Sequence, residues 1–378
     1  MINWIARNTF RVRWRETVRA FLFVLLTSAA FAQGPVPEIP FDSVPNFFKL
    51  PPDMYFGEGA GVAVNSKGHI FVFSRGNTTG PAYGATAAQL LEFAPDGKYL
   101  REIGHNLYAW SFAHAVRVDR DDNIWAVDKG SDMIIRFNPE GRVTMVFGRK
   151  KEASDEGAAP WTHVNPPRPA VDGQFRQPTD VTWDPAGNIF ISDGYINSRV
   201  AKFDKNGRWV KQWGSFGKEQ GQLNTPHSIA ADAKGNIYVA DRGNSRIQVF
   251  DPDGKFEREI KMEVPVPADA MPWMGPKPRP DAQGTMAPGA PWAICITPGP
   301  TQYLYASDAY PGRIYKMTLE GKILGTLGTA GRQLKEFGWI HEIACPSENT
   351  LYVAEVLNWR VQKLILHPGK QSTASGAN

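Results

Sequence analysis

Six similar segments recur along this chain, and the recurrence limits its possible folds more than any other feature of the sequence. Each copy has an alternating apolar run, a turn rich in small polar residues and a second apolar run, as in His227–Asp241. The copies align on one apolar residue at successive spacings of 54, 65, 48, 65 and 49 residues. The aligned residues are Val62, Val116, Val181, Ile229, Ile294 and Ile343. Repeats of this length that contain only short strands indicate a ring of small sheets.

The third copy illustrates how each segment is built. It contains four short strand patterns, at Asp180–Trp183, Ile189–Asp193, Arg199–Phe203 and Trp209–Trp213. The sequences between them are rich in Gly, Asn, Asp and Pro, which favour tight turns between antiparallel strands. No sustained 3.6-residue apolar period occurs after residue 32. The sequence therefore predicts an all-β fold, a six-bladed β-propeller over residues 33–370.

The two ends of the repeat region are expected to meet. The last copy ends with Arg360–Leu366 and lacks an obvious fourth strand, which Val44–Leu50 could supply. This pairing would close the ring and remove exposed sheet edges. Two insertions, Arg149–Gln177 and Met262–Ala290, interrupt the repeat, and each could be an ordered rim loop or a plain surface linker. Residues 371–378 are small and polar, and we expect this tail to be disordered.

Residues 1–32 have the features of a secretory signal peptide. Five arginines precede an apolar run from Phe21 to Phe31, and Ala30-Phe31-Ala32 matches an A-x-A cleavage site. The run is shorter than the about 20 residues that cross a bilayer, although an uncleaved anchor is the alternative. We therefore expect a secreted or periplasmic protein that is cleaved after Ala32 and has no stable membrane insertion.

Cleavage would also remove the excess of positive charge. The full chain has 42 basic and 38 acidic residues, and loss of five Arg and one Glu leaves 37 of each. A neutral chain gives no electrostatic reason to expect nucleic acid as a partner.

The chain has two cysteines, Cys295 and Cys345, and both lie in apolar strand patterns. This placement favours two buried thiols over a disulfide.

Histidines occupy one position of the repeat in alternate copies. Two residues before the aligned apolar residue, the six copies carry Ala60, His114, Thr179, His227, Trp292 and His341. In a closed six-fold ring, the three histidines would lie about 120° apart and face one point on the axis. Three imidazoles with an open fourth position are typical of catalytic zinc. The alternative is three separate histidines, each hydrogen-bonded at the inner edge of its blade.

Two arginines share a second repeat position. The second strand of each copy ends at Ser74, Asp128, Asp193, Asp241, Asp308 or Glu355. The next residue is Arg75 in the first copy and Arg242 in the fourth, which face each other across a six-fold ring. Tyr195 lies one position further along in the third copy. Two guanidinium groups could hold a carboxylate above the axis, and a nearby arginine and dication would lower the pKa of the tyrosine.

These motifs resemble those of NHL-repeat propellers, and specifically those of the peptidyl-α-hydroxyglycine α-amidating lyases. The resemblance covers nearly all of the chain after residue 32 and is closest in four motifs. They are Gln177-Pro-Thr-Asp-Val, Ser192-Asp-Gly-Tyr-Ile-Asn-Ser-Arg, Thr225-Pro-His-Ser and Ala240-Asp-Arg-Gly-Asn-Ser-Arg-Ile-Gln. The resemblance implies zinc ligands at His114, His227 and His341, a catalytic tyrosine at Tyr195, and active-site arginines at Arg75 and Arg242.

The resemblance also implies a structural calcium ion. Its ligands would be the backbone carbonyls of Val62 and Val116 and the carboxylate of Glu342, where the family has Asp. The family has Met where this chain has Trp339, which changes one wall of the pocket.

The implied reaction cleaves the C–N bond of a peptide or small molecule that ends in an α-hydroxyglycine-like group, which gives an amide and glyoxylate. A ureidoglycolate-like substrate has the same N–CH(OH)–COO⁻ core and fits the same residues. A non-enzymatic NHL propeller that binds a peptide is the alternative from another class. A lactonase-type hydrolase is a further alternative, but such enzymes usually place carboxylates on calcium where this chain has histidines.

Overall fold

The structure is a computed structural model that describes residues 36–76, 88–150, 169–279 and 281–368. The predicted signal peptide (1–32), the tail (371–378) and most of the first insertion lie outside the described residues.

Six four-stranded antiparallel sheets form the six blades of a propeller, which confirms the predicted fold. In each blade the first strand is innermost, and its residues line the central channel. Blade one contains β2 (Gly59–Val64), β3 (Ile70–Ser74), β4 (Gln89–Phe93) and β5 (Tyr99–Ile103). Blade two contains β6 (Ala113–Val118), β7 (Ile124–Asp128), β8 (Met133–Phe137) and β9 (Val143–Phe147). Blade three contains β10 (Asp180–Trp183), β11 (Ile189–Asp193), β12 (Arg199–Phe203) and β13 (Trp209–Trp213).

The second half of the chain repeats this arrangement. Blade four contains β14 (Pro226–Ala231), β15 (Ile237–Asp241), β16 (Arg246–Phe250) and β17 (Phe256–Ile260), with a single 3-10 turn at Arg242–Asn244. Blade five contains β18 (Ile294–Ile296), β19 (Leu304–Ser307), β20 (Ile314–Met317) and β21 (Ile323–Leu327). Blade six contains β24 (Ile340–Ser347), β25 (Thr350–Glu355) and β26 (Arg360–Leu366). A two-stranded parallel ladder, β22 (Thr329–Ala330) with β23 (Glu336–Phe337), joins blades five and six.

The fourth strand of blade six comes from the start of the described chain, but not from Val44–Leu50. The strand is β1 (Phe41–Ser43), which pairs with β26 so that Phe41 lies opposite Leu366. The predicted segment is wrong because the chain turns away at Asn46, whose φ is 49°. Its aromatic residues Phe47 and Phe48 instead pack between blades six and one. The ring is thus closed by pairing its two ends, three residues earlier in the chain than expected.

Six apolar clusters lie between neighbouring blades, one at each interface. The near-continuous apolar character of strands such as Ile237–Asp241 follows from this packing, because both faces of each sheet contact another blade. The cluster that joins the last blade to the first contains Val62, Phe93 and Tyr352. Closure therefore rests on buried apolar surface as well as on the β1–β26 ladder.

Cys295 and Cys345 form a disulfide, so the prediction of two thiols is wrong. Cys295 lies in β18 and Cys345 in β24, the innermost strands of neighbouring blades. Their Cα atoms are 6.2 Å apart, within the range that a disulfide spans. The packing of blade five against blade six produces this proximity, which two apolar strand patterns 50 residues apart do not reveal.

Buried carboxylates at the ends of the second strands fix the loops on one face of the ring. Asp128 accepts hydrogen bonds from the backbone amides of Ser111 and Phe112, which precede the inner strand of its own blade. Asp241 and Glu355 bind the amides of Asn224 and Gly338 in the same manner. These contacts satisfy backbone donors that the strand ladders leave unpaired. They hold the start of each inner strand, and thus its first side chains, in register with the axis.

The described part of the insertion Met262–Ala290 is an ordered rim loop. Arg313 donates hydrogen bonds to the carbonyls of Val264 and Pro265, and Trp273 donates one to Asn358 Oδ1 over 2.9 Å. Within the described ranges, no helix is long and apolar enough to cross a membrane.

Candidate active site and metal centre

The three predicted ligand histidines meet on the propeller axis. His114, His227 and His341 lie on β6, β14 and β24, the innermost strands of alternate blades. Their ring centroids are 4.5, 4.8 and 4.8 Å apart, and all three side chains are buried. One nitrogen of each ring lies within 4.8 Å of the corresponding nitrogens of the other two. The structure therefore brings together the residues that the repeat placed in one register.

The tautomer of each histidine is fixed by a carbonyl from the next blade. Nδ1 of His114 lies 2.6 Å from the carbonyl oxygen of Thr179, and Nδ1 of His227 lies 2.6 Å from that of Trp292. Nδ1 of His341 lies 2.8 Å from the carbonyl oxygen of Ala60. A carbonyl can only accept, so each Nδ1 carries the proton and each Nε2 keeps its lone pair. Thr179, Trp292 and Ala60 occupy the histidine position in the other three blades.

The three Nε2 atoms form a donor set that fits a zinc ion. Among the described residues, Nε2 of His227 has no hydrogen-bond partner although the atom is buried. Burial lowers the pKa of all three imidazoles well below the usual value, and neighbouring histidines and arginines lower it further. Neutral imidazole with its second nitrogen bound to a carbonyl is the form that coordinates zinc. A buried nitrogen without a partner is costly unless a ligand satisfies it.

Tyr195 lies beside this donor set. Its hydroxyl is 3.3 Å from Nε2 of His114, to which it can donate a hydrogen bond. Gly194 permits the approach, because a Cβ at this position would lie 1.9 Å from the carbonyl oxygen of Pro226. Burial raises the pKa of the Tyr195 phenol, but the charges of Arg242, Lys129 and Arg75 outweigh that effect and lower it overall. The phenol oxygen thus lies next to the histidine donor set, and its lowered pKa favours the anionic form.

The two predicted arginines approach this centre from different blades. Arg75 lies with Nη2 3.4 Å from Nε2 of His341, and its Nη1 donates to Glu58 over 2.7 Å. Arg242 is buried and hydrogen-bonded to Tyr195, and its Cζ lies 4.4 Å from the ring centroid of Trp292. Among the described residues, no carboxylate forms an ion pair with Arg242. The charge of Arg242 is therefore not balanced by an acid within the described residues, whereas that of Arg75 is paired with Glu58.

Lys129 is a third cation at this centre that the sequence reasoning missed. It follows the strand end Asp128, the same repeat position that Arg75 and Arg242 occupy in their blades. Its Nζ lies 4.0 Å from the ring centroid of Tyr195 and 5.1 Å from that of Phe112. The repeat alignment already contained the signal, since three of the six copies carry a cation at this position.

Aromatic rings line one side of the centre. The rings of Trp292 and Trp339 are 5.2 Å apart, and Trp292 also contacts His227 at 5.5 Å between centroids. Trp339, which stands where the family has Met, thus lies in the wall of the pocket, as the family resemblance implies. Trp273 belongs to the rim loop and contacts Arg332. These rings offer an apolar surface to a group that extends from the axis.

The residues named for calcium are together, but their arrangement does not fit this ion. Oε2 of Glu342 accepts hydrogen bonds from the backbone amides of Val62 and Val116, each over 3.0 Å. Its Oε1 lies 2.8 Å from Nε of Arg117. Calcium requires oxygen ligands and would meet hydrogen-bond donors at this carboxylate.

Comparison with known proteins relates the chain to a group of lyases. Residues 223–250 match the model of the NHL repeat. Peptidyl-glycine alpha-amidating monooxygenase A of Xenopus laevis is 28% identical over 330 residues, which cover 79% of this chain and 31% of that protein. The Mus musculus monooxygenase is 32% identical over 244 residues, which cover 57% of this chain and 22% of that protein. A probable peptidyl-alpha-hydroxyglycine alpha-amidating lyase of Caenorhabditis elegans is 27% identical over a segment that covers 57% of this chain and 62% of that protein. The chain thus spans less than two thirds of the length of these relatives.

Solved structures support the fold. A streptogramin B lyase structure aligns with a TM-score of 0.51 at 15% identity, covering 87% of this chain and 98% of that one. The virginiamycin B lyase of Staphylococcus aureus, solved with quinupristin, aligns with a TM-score of 0.52 at 14% identity, covering 87% and 100%. Likeness at this identity concerns the fold alone. Together with the sequence relatives, it identifies the chain as a six-bladed propeller that carries an NHL repeat and has homologues among the peptidyl-α-hydroxyglycine α-amidating lyases.

Proposed function

We propose that the chain is a zinc-dependent carbon–nitrogen lyase that cleaves N-acyl-α-hydroxyglycines into an amide and glyoxylate. The observation that carries the proposal is the convergence of three Nε2 lone pairs beside one tyrosine hydroxyl. A propeller that only bound peptides would have no need for three buried imidazoles with fixed tautomers. The named relatives act as lyases or amidating enzymes, which supports the same reaction class.

The histidines and the tyrosine would have separate roles in the reaction. His114, His227 and His341 would hold a zinc ion, which when bound supplies Lewis-acid polarisation of the substrate hydroxyl. Tyr195, adjacent to His114, accepts the hydroxyl proton as general base. The C–N bond then breaks, its electron pair goes to the amide nitrogen, and the hydroxyl oxygen becomes the aldehyde oxygen of glyoxylate. The proton taken from the hydroxyl ends on the released amide, so the reaction is balanced without another reactant.

Arg242 and Arg75 would orient the substrate. A carboxylate that accepts hydrogen bonds from a buried guanidinium gains charge-assisted contacts, and it would balance the charge of Arg242. With the carboxylate held, the hydroxyl is directed toward the histidines and the acyl group toward Trp339 and the rim loop with Trp273. Holding the reacting atoms in this geometry accounts for much of the rate gain in such sites.

The purified chain tests the proposal directly. We expect near-stoichiometric zinc by elemental analysis and release of glyoxylate from an N-acyl-α-hydroxyglycine. A protein without zinc and without glyoxylate release would instead be a binding propeller. A ureidoglycolate-type substrate shares the reacting core, so turnover of both compound types would leave the chemistry intact and change only the acyl preference.

Export is part of the proposal. The Cys295–Cys345 disulfide supports a secreted or periplasmic location, because disulfides persist in oxidising compartments. N-terminal sequencing of the mature protein is expected to begin at Gln33, and a protein that retains Met1 would contradict cleavage after Ala32.

A further inference from the structure

Arg117 lies on the axis, three residues further along β6 than His114. No other inner strand of the described chain carries a cation at this repeat position, where the other blades have Ala63, Thr182, Ala230, Cys295 and Ala344. The side chain is 14% exposed, so an unpaired charge here would be costly.

The guanidinium contacts groups from four other blades. Nε and Nη2 donate to the two carboxylate oxygens of Asp180 in blade three, over 2.9 and 2.6 Å. Nη2 also lies 3.2 Å from Oγ of Ser228 in blade four. The backbone carbonyls of Ile294 in blade five and Ile343 in blade six accept from Nη2 and Nη1 over 3.2 and 3.3 Å.

The first blade is connected through Glu342. Nε of Arg117 lies 2.8 Å from Oε1 of this residue, and Oε2 accepts from the amide of Val62 in blade one. Gly61 makes room for the carboxylate, because a Cβ there would lie 2.7 Å from Oε2. One cation is therefore in contact, directly or through one carboxylate, with all six blades.

The groups around Arg117 are those that bind a hard metal cation. Two carboxylates, two backbone carbonyls and one hydroxyl offer oxygen atoms, which are the ligands that calcium takes in proteins. The guanidinium donates to Asp180, Ser228 and the two carbonyls, and it forms an ion pair with Oε1 of Glu342, which accepts no hydrogen bond within the described residues. It thus balances one of the two negative charges. Backbone amides also donate to both carboxylates, those of Val62 and Val116 to Glu342 and that of Ile229 to Asp180.

We propose that Arg117 is a built-in structural cation, which occupies the place of an axial metal ion and holds the six inner strands together. In this chain the closed ring therefore needs no calcium at Val62, Val116 and Glu342. The guanidinium is covalently part of blade two, so its effect does not depend on the concentration of any ion.

The wild-type protein gives the first test. Purified protein is treated with EGTA, zinc alone is restored, and thermal unfolding is recorded with and without about 1 mM calcium, a concentration sufficient for weak protein sites. We expect no calcium by elemental analysis and the same melting temperature in both solutions. Stoichiometric calcium together with a melting temperature that falls after EGTA would overturn the proposal.

Variants give the second test. Arg117→Ala leaves Asp180 and Glu342 facing each other, and we expect its melting temperature to fall by about 5–10 °C. Calcium at about 1 mM should raise the melting temperature of this variant but not that of the wild type, because a ligand that binds only the folded state stabilises it. The open end of the channel, a cavity of about 290 Å³ that includes Arg117 in its lining, gives the ion access.

Two further variants keep the outcome interpretable. Arg117→Lys retains the charge with fewer donors and is expected to melt between the wild type and Arg117→Ala. Arg246→Ala removes a buried arginine that pairs with Asp241 and Glu259 within one blade, so calcium should not restore its stability. An Arg117→Ala protein as stable as the wild type, or one that calcium does not stabilise, would contradict the proposal. None of these measurements depends on lyase activity, so their failure would leave the proposed function unaffected.

Discussion

The hydroxyl of Tyr195 and Nε2 of His114 are 3.3 Å apart, although the two residues belong to different blades. The hydroxyl is the donor in this contact, because Nδ1 of His114 already carries the imidazole proton. A metal at Nε2 would take that lone pair and leave the phenol oxygen free to accept a proton from a substrate. Without a metal the phenol therefore donates a hydrogen bond to His114, and with a metal its oxygen could accept a proton instead.

Replacement of His227 by Ala should remove zinc and lyase activity while the propeller stays folded. The side chain extends into the channel, and although its Nδ1 bonds to the Trp292 carbonyl of blade five, it belongs to neither apolar cluster that joins blade four to its neighbours. Zinc content by elemental analysis, glyoxylate release and thermal unfolding check this. His105→Ala, which changes a largely exposed histidine, is the control and should behave as wild type. Full zinc occupancy in His227→Ala would eliminate the three-histidine centre.

Tyr195→Phe should retain zinc and lose about 10²–10⁴-fold in kcat, the usual effect of removing a general base. Steady-state kinetics with an N-acyl-α-hydroxyglycine measure this loss. Tyr310→Phe is a matched control, because Tyr310 also lies two residues after a strand-end aspartate but bonds to Ala270 in the rim loop. If Tyr195→Phe kept the wild-type rate, the proton transfer would belong to another group.

Lys129→Met should shift the rising limb of the pH–rate profile to higher pH. The Lys129 charge helps to lower the pKa of Tyr195, so its removal raises that pKa and leaves less phenolate at a given pH. Activity near neutral pH should therefore fall and partly recover in alkaline buffer. Lys129→Arg, which keeps the charge, should retain the wild-type profile. A limb that does not move in Lys129→Met would show that this cation does not act on Tyr195.

A substrate that lacks the carboxylate should lose more kcat/KM than a substrate with a changed acyl group. Arg242 is buried and has no acidic partner among the described residues, whereas under the proposed function the acyl group would lie against the rings of Trp292 and Trp339. The measurement compares kcat/KM for an N-acyl-α-hydroxyglycine and its carboxamide analogue in wild type and in Arg242→Ala. The penalty for the carboxamide should shrink in the variant. An equal penalty in both proteins would show that Arg242 does not recognise the carboxylate.

The fold could be predicted in detail because its information is local and repeated. The four strands predicted in blade three have the bounds observed, since turn residues and apolar alternation define each strand within a few positions. Pairings between neighbouring blades, or between the two ends of the repeat region, were not predictable in this way. The closing strand was placed three residues too late, and the disulfide between Cys295 and Cys345 was missed.

The candidate site, like the fold, could be predicted from the sequence only in part. The repeat register placed the histidines and two arginines correctly relative to each other, because residues at equal positions in equal blades face the same axis. Lys129 obeys the same rule, since it follows the strand end Asp128 as Arg75 and Arg242 follow theirs. Arg117 could not be inferred, since nothing in β6 alone reveals that Asp180 and Glu342 would meet its side chain.

The carbonyls that fix the histidine tautomers come from the main chain of Ala60, Thr179 and Trp292, and this has a consequence for how the site can evolve. Because the acceptor is a peptide group, the side chains at these three positions can change without altering the protonation of the ligands, as their different sizes already illustrate. A substitution there can reshape the pocket, as Trp292 does. A one-residue insertion or deletion in any of these three strands, by contrast, would move the carbonyl away from a histidine in the preceding blade. The odd-numbered blades are therefore tolerant of side-chain replacement and intolerant of length variation.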